Sequence, residues 1–377
     1  MERTDGMTYL DYNATVPIRT AAADAVRSTL DIVGNASSVH RFGRAVRRLI
    51  EDAREHVAAL VGAPAASVVF TSGGTEANNL ALGGAARPRI IAGATEHPSV
   101  LRVVPGMEIV RVDRNGIVDL DELRQRLASD ARPALVSVML ANNETGVIHP
   151  VREAAEIAHA SGALVHCDSV QAAGRVAIDM DALGVDMLSL SAHKLGGPAG
   201  VGALVLADGI EIAPIIRGGG QERRQRAGTE NAPGIAGFGA AAACVRGELS
   251  SAGTLSALRD EMERRLSGTA PHARVYGANV QRLPNTTCIS MPGVESATQV
   301  MALDLDGYAV SAGSACSSGK VEASHVLMAM GVSESEARTA IRISLGWRTT
   351  RAEIMNFVEA WTRLYQRLGL PSVGSAA

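Results

Sequence analysis

Residues 189–198 read Ser-Leu-Ser-Ala-His-Lys-Leu-Gly-Gly-Pro, and in this segment an apolar run ends at a single lysine, Lys194. Burial at the end of a strand makes an ammonium group costly to desolvate. We therefore expect Lys194 to lose its proton more easily than a surface lysine, as a Schiff-base lysine requires. The Gly-Gly-Pro that follows lets the backbone pass close to a bound group and then ends regular structure. Taken alone, the segment also fits an ordinary strand-end lysine at a surface turn.

Short runs rich in valine, isoleucine and leucine surround this segment and predict the strands of one sheet. They lie at 68–70, 89–92, 109–112, 135–139, 164–168, 187–190 and 202–206, and helices are predicted between them, for example at 119–127 and 151–160. Nearly continuous apolar strands that alternate with helices indicate an α/β fold with a mostly parallel, seven-stranded sheet covered on both faces. Such sheets bind ligands beyond the C-terminal ends of their strands, so the polar residues found there are the candidates for a site.

The pattern changes after residue 247, and a second, smaller α+β domain is predicted there. The predicted elements are helices at 255–266 and 352–368 and strands at 288–291 and 341–344. We assign residues 15–250 to a large domain, and residues 1–14 together with 251–377 to a small domain. A chain of 377 residues is long enough to give each of them a core.

The composition is that of an ordinary globular protein, with 46% hydrophobic and 20% charged residues. A net charge of −3 and an aromatic content of 3% argue against a nucleic-acid partner. No apolar run approaches a membrane span in length, and the N-terminus lacks the apolar stretch of a signal peptide. The cysteines show neither metal-ligand spacing nor a disulfide pattern; they are Cys167, Cys244, Cys288 and Cys316. We therefore expect a cytoplasmic protein with no metal site and no membrane partner.

Polar residues follow several of the predicted strands. The stretch 71–79, Thr-Ser-Gly-Gly-Thr-Glu-Ala-Asn-Asn, opens a helix, and its glycines and helix N-terminus favour a phosphate near Gly74 and Thr75. A plain capped turn is the alternative. His97 and Asn143 each follow a further strand, where a structural histidine and an ordinary turn are the alternatives.

Two more strand ends carry groups suited to one cofactor. Asp168 ends the strand at 164–168, where it can cap a helix or hold a cationic ring nitrogen. On the next strand, alternation predicts that Ser191 and His193 share a face away from Lys194 and can reach one anion. A phosphate cradle, an acidic partner for a ring nitrogen and a Schiff-base lysine together indicate pyridoxal 5'-phosphate.

Three segments carry a family resemblance that runs nearly from end to end of the chain. They are Ser191-Ala-His-Lys194, Arg226-Ala-Gly-Thr-Glu-Asn231 and Ser311-Ala-Gly-Ser-Ala-Cys316. On these segments the sequence resembles the cysteine desulfurases of the NifS/IscS type, group I, within the class V aminotransferase family. The resemblance implies the fold of a fold-type I pyridoxal-phosphate-dependent transferase.

The resemblance also implies how the cofactor is held. Lys194 would bind it covalently and later move protons, His97 would stack on its ring, and Asp168 would pair with its ring nitrogen. The remaining cofactor contacts that the resemblance implies are those of Gly74, Thr75, Gln171, Ser191, His193 and Thr229. Thr229 would reach the phosphate held by the neighbouring subunit, so a homodimer is expected.

The substrate contacts implied by the resemblance are those of Asn13, Asn143 and Arg342. Arginine suits this task because its planar fork can bind both oxygens of a carboxylate. Cys316 is the residue that separates a desulfurase from other enzymes of this fold. Its surroundings, 311–320, contain no large apolar residue, and this composition is typical of a mobile loop rather than of a buried turn.

The expected reaction converts L-cysteine to L-alanine and leaves the sulfur on Cys316 as a persulfide. The sulfur would then pass to an acceptor protein such as an iron–sulfur scaffold, which the sequence does not identify. Two alternatives stay open at this point. One is selenocysteine lyase or another class V enzyme of the same fold, and the other is a non-catalytic binding protein on a doubly wound sheet.

Overall fold

The computed structural model describes residues 6–249, 252–313 and 322–369. Its strands are β1 (Thr8–Tyr9), β2 (Val68–Thr71), β3 (Arg89–Gly93), β4 (Glu108–Val110), β5 (Ala134–Ser137), β6 (Leu164–Asp168), β7 (Met187–Ser191), β8 (Gly202–Leu206), β9 (Thr286–Ser290), β10 (Tyr308–Ala309), β11 (Ser311–Ala312) and β12 (Ala340–Ser344). Its α-helices are α1 (Thr20–Leu30), α2 (Arg41–Leu60), α3 (Gly74–Gly84), α4 (Pro98–Leu101), α5 (Leu120–Ser129), α6 (Val151–Ala160), α7 (Met180–Leu183), α8 (Ala232–Glu248), α9 (Ala252–Thr269), α10 (Ser296–Leu305), α11 (His325–Ala329), α12 (Glu334–Ala337) and α13 (Arg351–Leu368). Short 3-10 helices lie at Ala65–Ser67, Ala192–Lys194 and Gln221–Arg224.

The largest sheet has seven strands in the order β2-β8-β7-β6-β5-β3-β4. Only β8 runs antiparallel to its neighbours, so the sheet is mostly parallel. Successive residues of β7 enter different cores: Leu188 and Leu190 pack in one apolar cluster and Met187 in another. Strand side chains point alternately to opposite faces, so helices cover both sides of the sheet. The predicted fold class is confirmed.

Each predicted strand overlaps an observed one, and several of their ends differ by one or two residues. The run at 135–139 predicts a longer strand than β5, which ends at Ser137. The chain beyond it still follows β6, because the N–H groups of Val138 and Leu140 donate to carbonyl oxygens of His166 and Asp168. The backbone leaves the regular ladder there and bends toward the edge of the sheet at which ligands are expected.

A second apolar core lies around the three-stranded antiparallel sheet β11-β12-β9. Helix α13 contributes Phe357 and Trp361 to it, and a capping box between Thr350 and Glu353 fixes the start of that helix. Leu10, from the N-terminal segment, packs in the same core. The division into 15–250 on one side and 1–14 with 251–377 on the other remains a prediction, and the position of Leu10 agrees with it.

The N-terminal segment runs between the two cores and forms part of the site. Asp11 forms a parallel bridge with Ser344 on β12. Two residues later the N–H of Asn13 donates to the hydroxyl of Ser344 over 2.9 Å. The carbonyl oxygens of Asn13 and Ala14 then face Lys194, beyond the end of β7. Both sheets and this segment therefore meet at one place.

Candidate active site

A cleft of about 350 Å³ lies where the C-terminal ends of the parallel strands meet β12. The residues predicted for the site that line it are Asn13, Gly74, Thr75, His97, Asn143, Asp168, Gln171, Ser191, His193, Lys194 and Arg342. A larger cavity of about 450 Å³ shares only Lys194 with this set. The smaller cleft is therefore the one that combines the lysine with the acidic, phosphate-binding and carboxylate-binding candidates.

Lys194 ends the 3-10 turn that follows β7. Its Nζ donates to the carbonyl oxygens of Asn13 (2.5 Å) and Ala14 (2.8 Å). Burial lowers the pKa of Lys194 to about 7, and the positive charges of Arg342 and Arg175 act in the same direction. At neutral pH a large share of this amine is uncharged, so it can act as a nucleophile.

The structure corrects the predicted arrangement of the side chains around Lys194. Strand alternation predicts that His193 and Lys194 point to opposite faces. The strand ends at Ser191, however, and Ala192–Lys194 turns as a 3-10 helix. All three polar residues, Ser191, His193 and Lys194, therefore line the same cleft. Burial lowers the pKa of His193 to about 4, and the charge of Lys194 contributes, so its imidazole is neutral at pH 7.

Asp168 is held at the end of β6 by two donors. The N–H of Val170 donates to Oδ1 over 3.0 Å, and Nδ2 of Asn78 donates to Oδ2 over 2.7 Å. Asp168 is buried, and its carboxylate lines the cleft. A carboxylate fixed in this way can pair with a cationic nitrogen in the cleft.

Asn78 also connects Asp168 to His97. Its Nδ2 donates to the hydroxyl of Ser99 over 2.9 Å, and that oxygen lies 2.7 Å from Nδ1 of His97. The N–H of Ser99 donates to the same Nδ1, so a neutral His97 carries its proton on Nε2. Desolvation lowers the pKa of His97, although Asp168 opposes the shift. Asn78 and Ser99 were not predicted from the sequence. Asn78 follows Gly74 by four residues on α3, and this helical spacing is the signal that could have indicated it.

Helix α3 directs its N-terminus into the cleft. Its first residues are Gly74 and Thr75, and no side chain caps it at Gly73. A side chain at position 74 would not fit, because a Cβ there would come within 2.8 Å of Cγ2 of Val170. Uncapped N–H groups and the positive end of the helix dipole form a binding place for an anion such as phosphate.

Gln171 and Asn13 form the floor of the cleft near Lys194. Nε2 of Gln171 donates to the carbonyl oxygen of Asn13 over 3.0 Å, and its Oε1 accepts from Arg175 over 2.8 Å. The side chain of Asn13 donates to Thr286 Oγ1 and to the carbonyl oxygen of Asn143. These contacts position the backbone of Asn13, whose carbonyl oxygen accepts from Lys194.

Arg342 extends from β12 to the end of the cleft opposite α3. Its Nη2 pairs with Asp11 at 2.8 Å, and its Nη1 donates to the carbonyl oxygen of Asn143 over 3.1 Å. The buried Nε has no hydrogen-bond partner among the described residues. An unpaired buried donor of a cation is costly, so this end of the cleft favours an anionic ligand such as a carboxylate.

We expect Arg342→Lys to raise the KM for L-cysteine about ten- to a hundredfold. A hydrogen bond to a charged group contributes about 1.5–3 kcal/mol, and lysine keeps the charge but loses the fork. The measurement is steady-state alanine production, with binding of cysteamine, which lacks a carboxylate, as the matched control. Cysteamine affinity should change little. Equal losses for both ligands would contradict a role in carboxylate recognition.

Two predicted site residues are not among those that line the cleft. Thr229 is exposed and lies in the loop before α8. Its contact with a neighbouring subunit stays a prediction. Cys316 lies outside the described residues, so its predicted position is not tested. Among the other cysteines, Cys167 and Cys288 are buried, and burial raises the pKa of both thiols, as suits packing residues.

The described residues contain no group of three or more His, Cys, Asp or Glu side chains that could hold a metal ion. Within the same ranges, no helix is long and apolar enough to cross a membrane.

Comparison with known proteins identifies the class to which this fold and site belong. The model of the class V aminotransferases matches residues 8–357. The chain belongs to the class V aminotransferase family.

The more similar relatives narrow the assignment. The cysteine desulfurase of Cereibacter sphaeroides is 44% identical over 96% of this chain and 96% of its own length. The cysteine desulfurase IscS of Dictyoglomus turgidum is 41% identical over 96% and 95%. The structure of a NifS-like protein from Rickettsia africae superposes with a TM-score of 0.89 at 37% identity and covers 96% of this chain and 99% of that one. The chain is thus an enzyme of the cysteine desulfurase type, and the predicted resemblance is confirmed.

Proposed function

We propose that the cleft holds pyridoxal 5'-phosphate and that the enzyme uses Cys316 to take sulfur from L-cysteine. The observation that carries this proposal is the meeting of three groups in one cleft. They are Lys194 with its lowered pKa, the carboxylate of Asp168 and the uncapped N-terminus of α3. These groups match the aldehyde, the ring nitrogen and the phosphate of the cofactor.

Pyridoxal phosphate, when bound, supplies an electron sink that weakens the bonds around the α-carbon of an amino acid. Asp168 would keep the ring nitrogen protonated, and the Asn78 contact would hold that carboxylate in place. Ser191, His193 and the first turn of α3 would bind the phosphate. Oδ1 of Asn78 is buried and has no hydrogen-bond partner in the part of the chain that the structure describes, so it is a further acceptor at the site.

The substrate would lie between the cofactor and β12. Arg342 and Asn143 would hold its carboxylate, which directs the amino group toward Lys194. Lys194 and His97 would move protons, and the lowered pKa of each leaves an uncharged form at neutral pH. Only the uncharged forms can accept a proton from the substrate.

In the proposed sulfur transfer, the thiolate of Cys316 attacks the sulfur of L-cysteine. An S–S bond forms and the carbon–sulfur bond breaks. The electron pair of the broken bond stays with carbon, which takes up a proton to become the methyl group of alanine. L-Cysteine and the enzyme thiol are thereby converted to L-alanine and an enzyme persulfide, with no external oxidant.

The chain length between Gly313 and Cys316 supports this role. Three residues span at most about 10 Å, because an extended chain covers roughly 3.3–3.6 Å per residue. Gly313 lies beside the carboxyl group of Glu144, the residue directly after Asn143 of the cleft. The chain therefore ties Cys316 to within about 10 Å of a residue next to the turn that carries Asn143.

We propose a homodimer, in which Thr229 contacts the phosphate of the neighbouring subunit. A run of exposed apolar side chains between residues 30 and 42 supports it, since a partner could cover it. The run includes Leu30 (67% exposed), Val33 (78%), Val39 (87%) and Phe42 (61%). Thr229 is itself exposed and does not line the cleft of its own chain.

The sulfur acceptor is proposed to be a protein such as an iron–sulfur scaffold. A persulfide is consumed by transfer to another nucleophile, so the enzyme needs a partner that can approach Cys316. The proposed location is the cytoplasm, because a reducing compartment keeps the thiol of Cys316 available.

The function is tested by recording the absorption spectrum of the purified enzyme before and after addition of L-cysteine, with alanine and sulfide assayed in parallel. We expect a cofactor band that changes with cysteine and a yield of alanine equal to the sulfur transferred. L-Selenocysteine in a parallel series measures the preference between sulfur and selenium. A cofactor band without alanine would move the enzyme to another class V reaction, and the absence of any band after addition of the cofactor would overturn the proposal.

A further inference from the structure

Glu144 is a buried carboxyl group that the proposed reaction does not use. It follows Asn143 in a turn whose geometry is set by Asn142, since Oδ1 of Asn142 accepts from the N–H of Glu144 and of Thr145. Glu144 is 2% exposed. It is not among the residues that line the cleft, and its carboxyl group lies near residues on either side of 314–321, the segment that contains Cys316.

One described flank of that segment bonds to the Glu144 carboxyl group, and the other lies beside it. On the C-terminal side, the hydroxyl of Ser324 donates to Oε2 over 2.5 Å. On the N-terminal side, Gly313 lies so close that a Cβ at this position would come within 2.8 Å of the same oxygen. One carboxylate oxygen therefore accepts a hydrogen bond from a residue shortly after the segment and lies next to the residue before it.

The contact with Ser324 requires an acceptor at position 144. The Ser324 oxygen already accepts from the N–H of Leu327 as the N-cap of α11, over 3.1 Å. The hydroxyl group therefore accepts one hydrogen bond from the backbone and donates its single proton to Glu144. Next to it, His325 reaches the carbonyl oxygen of Glu96 over 3.1 Å, so the same flank is also tied to the loop that carries His97.

The groups around Glu144 stabilise its ionised form only in part. Arg342 on β12 is the cation whose field stabilises it, and the thiol of Cys288 on β9 is its other titratable neighbour. Burial raises the pKa of Glu144 to about 7 in spite of Arg342 and Ser324. The group thus connects the arginine proposed to bind the substrate carboxylate with the base of the Cys316 segment.

We propose that Glu144 is a positioning residue that fixes both flanks of the Cys316 segment to the turn carrying Asn143. The inference rests on the proposed function, because it assumes that Cys316 attacks substrate held by Asn143 and Arg342. A shared anchor keeps the start and end of the segment in register with the substrate. Its loss should slow the sulfur transfer without weakening substrate binding.

Variants at Ser324 separate the anchor from the helix cap. Ser324→Thr keeps both the cap and the hydroxyl donor. Ser324→Asp keeps the cap, since aspartate is a good N-cap residue, but removes the donor and repels Glu144. Glu144→Gln keeps the side-chain volume and an acceptor oxygen but removes the charge. At pH 8, above the pKa of about 7, it therefore replaces a charge-assisted hydrogen bond with a neutral one of about half the strength. We expect Ser324→Thr to behave as the unmodified enzyme, and Ser324→Asp and Glu144→Gln to slow alanine formation in a single turnover about tenfold, because misplacement of a reacting group by about 1 Å can cost a hundredfold.

The chain contains only two lysines, Lys194 and Lys320, and this allows a readout independent of activity. Lysyl endopeptidase can cut the folded enzyme only after these residues, and Lys194 is largely buried in the cleft. Cleavage after Lys320 therefore reports how firmly the segment is anchored. We expect it to be several-fold faster in Ser324→Asp and Glu144→Gln than in Ser324→Thr, with near-ultraviolet circular dichroism confirming that each variant is folded.

The change of the cofactor spectrum on binding L-cysteine separates positioning from binding. It should occur at similar concentrations, within about twofold, in all variants. Unaltered turnover and cleavage in Ser324→Asp would overturn the inference, since the cap alone would then explain Ser324. An equal loss of cysteine binding in Glu144→Gln would also overturn it. If Cys316 itself proves dispensable, the proposed function fails, whereas the cleavage series still tests the anchor.

Discussion

Lys194→Ala is expected to yield a folded enzyme that holds no covalently bound cofactor and forms alanine at least a thousandfold more slowly. The amine of Lys194 is both the proposed nucleophile toward the cofactor aldehyde and one of the groups that move protons, and general acid–base catalysis alone contributes about 10²–10⁴. Lys194→Arg is the matched control, because arginine keeps a positive charge in the cleft and supplies no nucleophilic amine. Both variants should lose activity to a similar extent.

Reduction with borohydride makes the test direct. With only two lysines in the chain, stable labelling by the reduced cofactor can occur at Lys194 or Lys320 and nowhere else among lysine side chains. We expect mass spectrometry to find the label on Lys194 alone, and no label on the Lys194→Ala chain. A label on Lys320 with activity retained in Lys194→Ala would contradict the assignment.

The rate of cofactor attachment should also depend on pH in a way that reports the environment of Lys194. Burial and the charges of Arg342 and Arg175 lower its pKa to about 7. Because the uncharged amine is the reactive form, attachment to the apoenzyme should be slow below pH 7 and level off above it. An exposed lysine would instead continue to gain rate up to about pH 10, near its ordinary pKa of about 10.4. A rate of attachment that continues to rise up to about pH 10 would mean that the amine of Lys194 is exposed to solvent.

The sequence predicts the sheet well because its signals are local. Apolar runs such as 164–168 and 202–206 coincide with β6 and β8, and the break after residue 247 precedes the second core. In the seven-stranded sheet only β8 runs antiparallel to its neighbours, and the sequence has no signal for this orientation. A buried strand is apolar in either direction, so its orientation depends on the connections and not on its composition.

Some residues of the site can likewise be predicted from the sequence, and others cannot. Polar residues that follow strands, such as Asp168, can be predicted because the C-terminal edge of a parallel sheet is a known place for ligands. Alternation misplaces His193, since the sequence does not mark the 3-10 turn that ends the strand. The helical spacing from Gly74 could have indicated Asn78, but its contact with Asp168 could not be predicted. Glu144 has no such local signal, because its role depends on a contact with Ser324, which is distant in the chain.

Cys316→Ser is expected to bind L-cysteine normally and to form alanine at less than about one-hundredth of the unmodified rate. Lys194, Arg342 and Asn143 are unchanged in this variant, so the change of the cofactor spectrum on addition of cysteine should persist. A serine hydroxyl is a far poorer nucleophile toward sulfur than a thiolate, and removal of a nucleophile commonly costs several powers of ten.

Cys244→Ser is the matched control, because Cys244 is half-buried on α8, far along the chain from the proposed nucleophile. This variant should retain both alanine formation and a persulfide detectable by alkylation and mass spectrometry. In the unmodified enzyme the persulfide should lie on the peptide that contains Cys316. The buried thiols of Cys167 and Cys288 should not react, since burial raises the pKa of both and leaves them protonated. Alanine formed at the full rate by Cys316→Ser would mean that the sulfur passes to a thiol other than Cys316, such as a thiol in the assay, and would contradict the assignment of Cys316 as the nucleophile.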